Sequence, residues 1–154
     1  FIQLGVRKLR VTGGEPLAQP NCRAFLERLC DAGFDVSLET RGAIDIAGID
    51  PRVSRVVDLK TPASGECLRN RWQNLDVLTV HDQLKFVICD RGDFDWAVQC
   101  IRELELVDRC TIWLSPSWGV VEPHELAQWI LESGLPVRLQ LQLHKLRWGD
   151  VPGK

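Results

Sequence analysis

The chain of 154 residues is 45% apolar and carries 19 basic against 21 acidic side chains, a net charge of −2. This size and balance suit a single globular domain and exclude a disordered or fibrous chain. No block of like charges offers a face for nucleic acid or an anionic membrane, and no apolar stretch approaches the roughly 20 residues that cross a bilayer. No basic, then apolar leader opens the chain, so a cytoplasmic protein is expected. The sequence contains no methionine and opens with Phe1, which implies a fragment or a processed chain.

In chain order, Lys8 to Thr12 reads as a strand ending in Gly13-Gly14. Cys22 to Ala32 places Phe25, Leu26, Leu29 and Cys30 on one helical face and stops at Gly33. Further strands are read at Asp35 to Glu39, Val53 to Leu59 and Gln83 to Cys89, with Thr61 to Asp82 irregular between the last two. Phe94 to Leu104 is a helix burying Trp96, Ala97, Cys100, Ile101 and Leu104, and Thr111 to Ser115 is the fifth strand. Pro123 opens a helix with Leu126, Trp129 and Ile130 as its apolar stripe and Gly134 at its end; Val137 to Leu143 alternates as a sixth strand. Strands alternating with amphipathic helices give an α/β fold: a six-stranded parallel sheet or open β/α barrel, helices on its outer face.

The six cysteines, Cys22, Cys30, Cys67, Cys89, Cys100 and Cys110, are dispersed, and four lie in apolar periodic segments. Reduced, mostly buried thiols are expected. No pair has the short spacing that closes two thiolates on one metal or cluster, so no metal ligand is assigned within the chain.

Reactive side chains gather at the carboxyl ends of these strands: Thr12 and Glu15, Glu39 and Thr40, Asp58 and Lys60, Ser115, and His144. In a parallel α/β sheet those ends share one face, where ligands bind. The same residue types also cap helices and turn the chain. Thr12-Gly13-Gly14-Glu15-Pro16 is the sharpest local motif. Its glycines expose backbone groups to a ligand, Glu15 can accept from an ammonium, and Pro16 stiffens the exit. It lacks the lysine of a P-loop and the third glycine of a dinucleotide fingerprint.

The Gly-Gly-Glu-Pro turn resembles the motif by which radical S-adenosylmethionine enzymes bind the methionyl amino group. Leu38-Glu39-Thr40-Arg41-Gly42, Asp58-Leu59-Lys60-Thr61-Pro62 with Ser64-Gly65-Glu66, Asp82 to Ile88, Ser115-Pro116 and Gln140 to Lys145 resemble, in order and spacing, the 7-carboxy-7-deazaguanine synthase family. The resemblance implies one partial radical S-adenosylmethionine barrel over residues 1–154. Its activity would be a lyase-type ring contraction of 6-carboxy-5,6,7,8-tetrahydropterin to 7-carboxy-7-deazaguanine, with loss of ammonia, in queuosine (tRNA modification) biosynthesis. It implies S-adenosylmethionine, a [4Fe-4S] cluster and Mg2+ as cofactors, a reducing partner such as flavodoxin, and a homodimer. Gly13, Gly14 and Glu15 would hold the methionyl end of the cofactor, and Asp58, Leu59, Lys60, Ser115, Pro116, Ser117 and Trp118 its remainder. Thr12, Glu39 and His144 would face the pterin, with Glu39 and His144 as the catalytic candidates. A carboxylate suits the donor edge of a guanidine-like ring, and a histidine can bind the substrate carboxylate or move a proton near neutral pH.

Two departures limit the likeness. The family's first strand, its C-x3-C-x2-C loop and its magnesium-contacting Ser or Thr are expected to precede Phe1, so this chain alone is expected to be inactive. Arg41 stands where many relatives have Asn, which sets a charged fork beside the inferred site. Two other readings stay open: a cluster-less binding module, and a non-radical barrel enzyme acting on an anionic metabolite at the same strand ends.

Overall fold

The computed structural model describes residues 5–149. Among them, β1 (Lys8–Val11), β2 (Asp35–Thr40), β3 (Ser54–Asp58), β4 (Gln83–Ile88), β5 (Thr111–Pro116) and β6 (Arg138–Leu139) form one parallel sheet whose spatial order is the chain order. The helices α1 (Cys22–Asp31), α2 (Arg91–Glu103) and α3 (Pro123–Ser133) lie between strands, and α4 (Leu143–Trp148) follows β6. When every crossover steps to the next strand on the same side and is right-handed, all connecting helices fall on one face of the sheet. The result is a singly wound, open α/β sheet of the β/α-barrel kind, with its second face left to line a site.

The parallel register shows the two faces directly. Leu9, Val36 and Leu38, Val57, Leu84 and Phe86, and Ile112 and Leu114 occupy helix-facing positions, and from Val36 onward all of these are buried. The buried ones pack with Leu26 of α1, Phe94, Ala97 and Ile101 of α2 and Leu126 of α3 into one apolar core. The alternate positions make the open face: Arg10, Ser37 and Glu39, Val56 and Asp58, Gln83, Lys85 and Val87, Thr111, Trp113 and Ser115. Side chains alternate across a strand with period two, so one face is apolar and the other largely polar from a single alternating sequence.

The helix face holds a buried charge pair. Arg55 and Asp82, at the amino ends of β3 and β4, are 8% and 1% exposed. Asp82 accepts five hydrogen bonds: from the Arg55 N–H (2.8 Å), Nε (2.9 Å) and Nη2 (2.5 Å), and from the Thr79 N–H (2.8 Å) and hydroxyl (2.9 Å). The pair is far from uncompensated, and it staples the irregular stretch before β4 onto β3.

Three departures from the sequence reading have local causes. α2 begins at Arg91, three residues before Phe94, because the Asp90 carboxylate caps the Asp93 N–H at 2.8 Å. Phe25 is 51% exposed, while Cys22, Leu26 and Cys30 carry the buried stripe of α1. β6 stops at Leu139: the Gln140 N–H still bonds the Leu114 carbonyl (2.9 Å), and the chain then turns into α4 from Leu143, which is 71% exposed. The alternation of Leu139, Leu141 and Leu143 that suggested a longer strand is split between strand, turn and helix.

Candidate functional site at the carboxyl ends of the strands

β1 ends at Val11, and the chain turns through Gly13, whose φ of 130° is open to glycine and strained for other residues. A Cβ added at Gly13 or Gly14 would meet nothing within 4 Å, so this backbone faces open space. Glu15 anchors the turn. Its carboxylate accepts from the Leu17 N–H (3.1 Å), the Thr40 hydroxyl (2.9 and 3.0 Å) and the Arg41 N–H (2.8 Å). The sequence reading has Glu15 ready to accept from a ligand ammonium; in the structure these three donors engage it, and it ties the Gly-Gly turn to the end of β2.

Beside the turn lies a hollow of about 300 Å³ lined by Thr12, Gly13, Gly14, Glu39, Thr40, Arg41, Val56, Asp58, Lys60 and Lys85. Glu39 is fixed at both oxygens, by Arg10 Nη1 (3.0 Å) and the Thr12 hydroxyl (2.9 Å). Lys60 Nζ donates to Asp58 Oδ2 at 2.6 Å. With Glu39 matched by Arg10 and Asp58 by Lys60, the side chains of Arg41 and Lys85 have no ion-pair partner among the described residues. The hollow therefore has two cations to spare.

Unpartnered polar atoms repeat the point. Four buried side-chain nitrogen or oxygen atoms lack a hydrogen bond among the described residues, and three belong to the open face: Asp58 Oδ1, Trp113 Nε1 and Ser115 Oγ. Asp58 is level with Lys85, and Lys85 with Trp113, in one row across β3, β4 and β5; Ser115 stands one row beyond. An orphaned buried donor or acceptor costs about 1–3 kcal/mol, a cost that a polar ligand would recover.

A second hollow of about 330 Å³ opens at the ends of β5 and β6, lined by Pro116, Ser117, Trp118, Gly119, Val121, Glu122, Pro123, Leu141, Gln142 and Leu146. The residues picked out in the sequence thus divide. Thr12, Gly13, Gly14, Glu39, Asp58 and Lys60 share the first hollow; Pro116, Ser117 and Trp118 share the second. Ser115 is buried beneath the strand ends. Leu59 is 1% exposed and belongs to the core, offering a ligand no side-chain contact; its N–H bonds the Lys85 carbonyl (2.9 Å). His144 falls on α4, not at a strand end, and its side chain lies outside the described residues. Lys85 was missed. Its signal was its odd place in the alternation of β4, readable once that strand's buried positions are known.

No family model matches the chain. It is 40% identical to a 7-carboxy-7-deazaguanine synthase of Koribacter versatilis over 91% of this chain and 68% of the relative. Enzymes of the same name from Chlorobaculum tepidum (39% identical, 91% of this chain and 65% of the relative) and Thermoplasma acidophilum (36%, 92% and 68%) are also similar. The chain belongs to the 7-carboxy-7-deazaguanine synthase family. It spans about two thirds of the length of these synthases. Its fold matches that of QueE from Escherichia coli with a TM-score of 0.69 at 20% identity, over 91% of this chain and 59% of that one.

Membership raises the question of an iron–sulfur cluster. Among the described residues no three His, Cys, Asp or Glu side chains converge as a metal site. Cys22, Cys30, Cys100 and Cys110 are buried and Cys67 and Cys89 half-buried, all free. Burial pushes the thiols of Cys100 and Cys110 up to about 11 and raises the other four. Raised, separated thiols are poor cluster ligands, because iron and other metals take the thiolate. The described residues therefore do not fit a cluster.

Proposed function

We propose that the open face binds S-adenosylmethionine and a carboxylated tetrahydropterin, and that in the complete enzyme it serves the ring contraction to 7-carboxy-7-deazaguanine with loss of ammonia. The observation that carries this reading is the concentration on one face of the exposed Gly13-Gly14 backbone, the orphaned Asp58 and Ser115 oxygens and the unpaired Arg41 and Lys85 cations. These groups complement ligands that bring an ammonium, a ribose or amide and a carboxylate. In this class of chemistry S-adenosylmethionine, cleaved to methionine by one electron from a reduced [4Fe-4S] cluster, would supply a 5′-deoxyadenosyl radical.

The chain's own residues position and shield. Gly13 and Gly14 offer backbone groups to the methionyl end, and Asp58 and Lys60, with Ser115 to Trp118, receive the remainder of the cofactor. Glu39, held rigid by Arg10 and Thr12, turns its remaining lone pairs to the amino edge of the pterin. Arg41 and Lys85 provide the positive pole that a ligand carboxylate requires. The assignment of His144 to the substrate side rests on likeness to the family alone. Mg2+, a flavodoxin-like reductant, a homodimer and a cytoplasmic location rest on likeness to the family.

Calorimetric titration with each ligand separately tests the division of the site. Glu39→Gln keeps the volume but loses a charge-assisted bond, on the order of 1.5–3 kcal/mol, so pterin binding should weaken and cofactor binding should hold. Gly14→Val should do the opposite at unchanged stability, since its side chain meets nothing in the fold and enters the space the cofactor needs. Equal losses for both ligands in both variants would show the two halves to be misassigned. Binding of simple carboxylates with no S-adenosylmethionine binding would favour the non-radical reading instead.

A further inference from the structure

Lys60 leaves β3 into irregular chain, where backbone N–H and C=O groups have no strand partner and must find others. Both of Lys60's backbone groups are taken by one side chain. Asn70 Oδ1 accepts the Lys60 N–H at 2.9 Å, and Asn70 Nδ2 donates to the Lys60 carbonyl at 2.8 Å. Asn70 is 7% exposed, and its own N–H is held by the Cys67 carbonyl at 3.2 Å. The next residue is pinned independently: the Thr61 hydroxyl lies 2.9 Å from Asp93 Oδ2 and 3.0 Å from the Val87 carbonyl, and Asp93 Oδ1 accepts the Ala63 N–H at 2.9 Å.

We infer that Asn70 is a positioning residue which fixes the Lys60 backbone so that the Lys60 ammonium is delivered to Asp58 and the ligand hollow. The inference rests on the reading that Lys60 meets the cofactor. Asn70 does not line the hollow, and the residue it grips through both amide atoms is one that does. An amide side chain carries donor and acceptor in one plane and so copies the pairing of a neighbouring strand where the sheet has none. Aspartate could accept but not donate, and glutamine is a methylene too long for the same fit. With the clasp in place, the 2.6 Å contact between Lys60 Nζ and Asp58 Oδ2 starts from a fixed backbone, so only the four-carbon stem has to be ordered to make it.

Two measurements on the full chain decide it. In Asn70→Ala, amide exchange at Lys60 should accelerate on the order of tenfold or more, while the Arg55 N–H, bonded to Asp82, keeps its protection. Uniform acceleration at both sites would reduce Asn70 to a general stabiliser and overturn the inference. The second is a double-mutant cycle read by S-adenosylmethionine titration. Asn70→Ala should weaken binding on the order of tenfold beside Lys60, and should have no further effect in a Lys60→Ala background. Equal losses in both backgrounds would mean that Asn70 does not act through Lys60. If Lys60→Ala alone leaves binding unchanged, the assignment of Lys60 to the cofactor fails, while the exchange measurement still shows whether the clasp exists. Asn70→Asp, which retains only the acceptor, should fall between wild type and Asn70→Ala in both readouts.

Discussion

Asp82 and Asp58 stand at opposite ends of the same pair of neighbouring strands and are satisfied very differently. Asp82 accepts five hydrogen bonds, whereas Asp58 has one oxygen on Lys60 and the other buried without a partner. Removing Asp82 strands Arg55 in the core, so Asp82→Ala should destabilise the fold by about 3–5 kcal/mol in denaturant titration. Asp58→Asn should leave stability within about 1 kcal/mol and be felt in ligand binding. Burial alone would raise the Asp82 carboxyl, but the bonds from Arg55 and Thr79 outweigh it and hold the group below its ordinary range. A carboxylate lowered in the folded state adds stability above its unfolded value, near 4, and that stability is lost as the pH falls through the lower folded value. The wild type should therefore lose stability in acid more steeply than Asp82→Asn, a difference that denaturation curves between neutral and low pH would reveal.

At the level of elements, the end of β2 shows why the site is built as it is. Gly42 has a φ of 74°, and a Cβ there would lie 3.2 Å from both the Asp58 carbonyl oxygen and Val57 Cγ1. Its own carbonyl accepts from the Arg71 N–H (3.0 Å) and Asn74 Nδ2 (3.0 Å). Gly42→Ala should cost at least about 1–2 kcal/mol in thermal or chemical unfolding, from the left-handed backbone alone. The strands were legible because β-branched and aromatic residues concentrate in them, and α3 because Pro123 and Gly134 mark its ends. β6 was overread, since a period of two in Leu139, Leu141 and Leu143 looks the same whether or not a neighbour strand continues. Glu15 shows the matching limit within the site. The sequence placed it in the turn, but its three donors come partly from Thr40 and Arg41, and only the folded register brings those to it. Asn70 left no sequence signal, because a side chain that mimics a strand has no period.

Across the whole molecule the thiols form a set with a common behaviour. Cys67 and Cys89, the two not fully buried, should react first with a thiol reagent near pH 8, and Cys22, Cys30, Cys100 and Cys110 only on unfolding. Mass spectrometry of labelled native and denatured chain would read the order directly. Iron and sulfide added anaerobically should leave the chain without the absorbance of a [4Fe-4S] cluster, since unfolding would be needed to gather these sulfurs.

The single winding of the sheet has a genetic consequence. Along β4, Leu84, Phe86 and Ile88 are seated in the apolar layer, while Gln83, Lys85 and Val87 look the other way. A saturation library scored once for abundance and once for ligand capture should give two traces that oscillate along this strand in antiphase. Substitutions at even numbers should lower abundance, and those at odd numbers should spare abundance and lower capture, because different layers of the fold read each parity. Two traces that rise and fall together would mean that one layer serves both purposes. Alternation in antiphase would leave the odd positions of β4 free to vary in ligand preference with little loss of the folded protein.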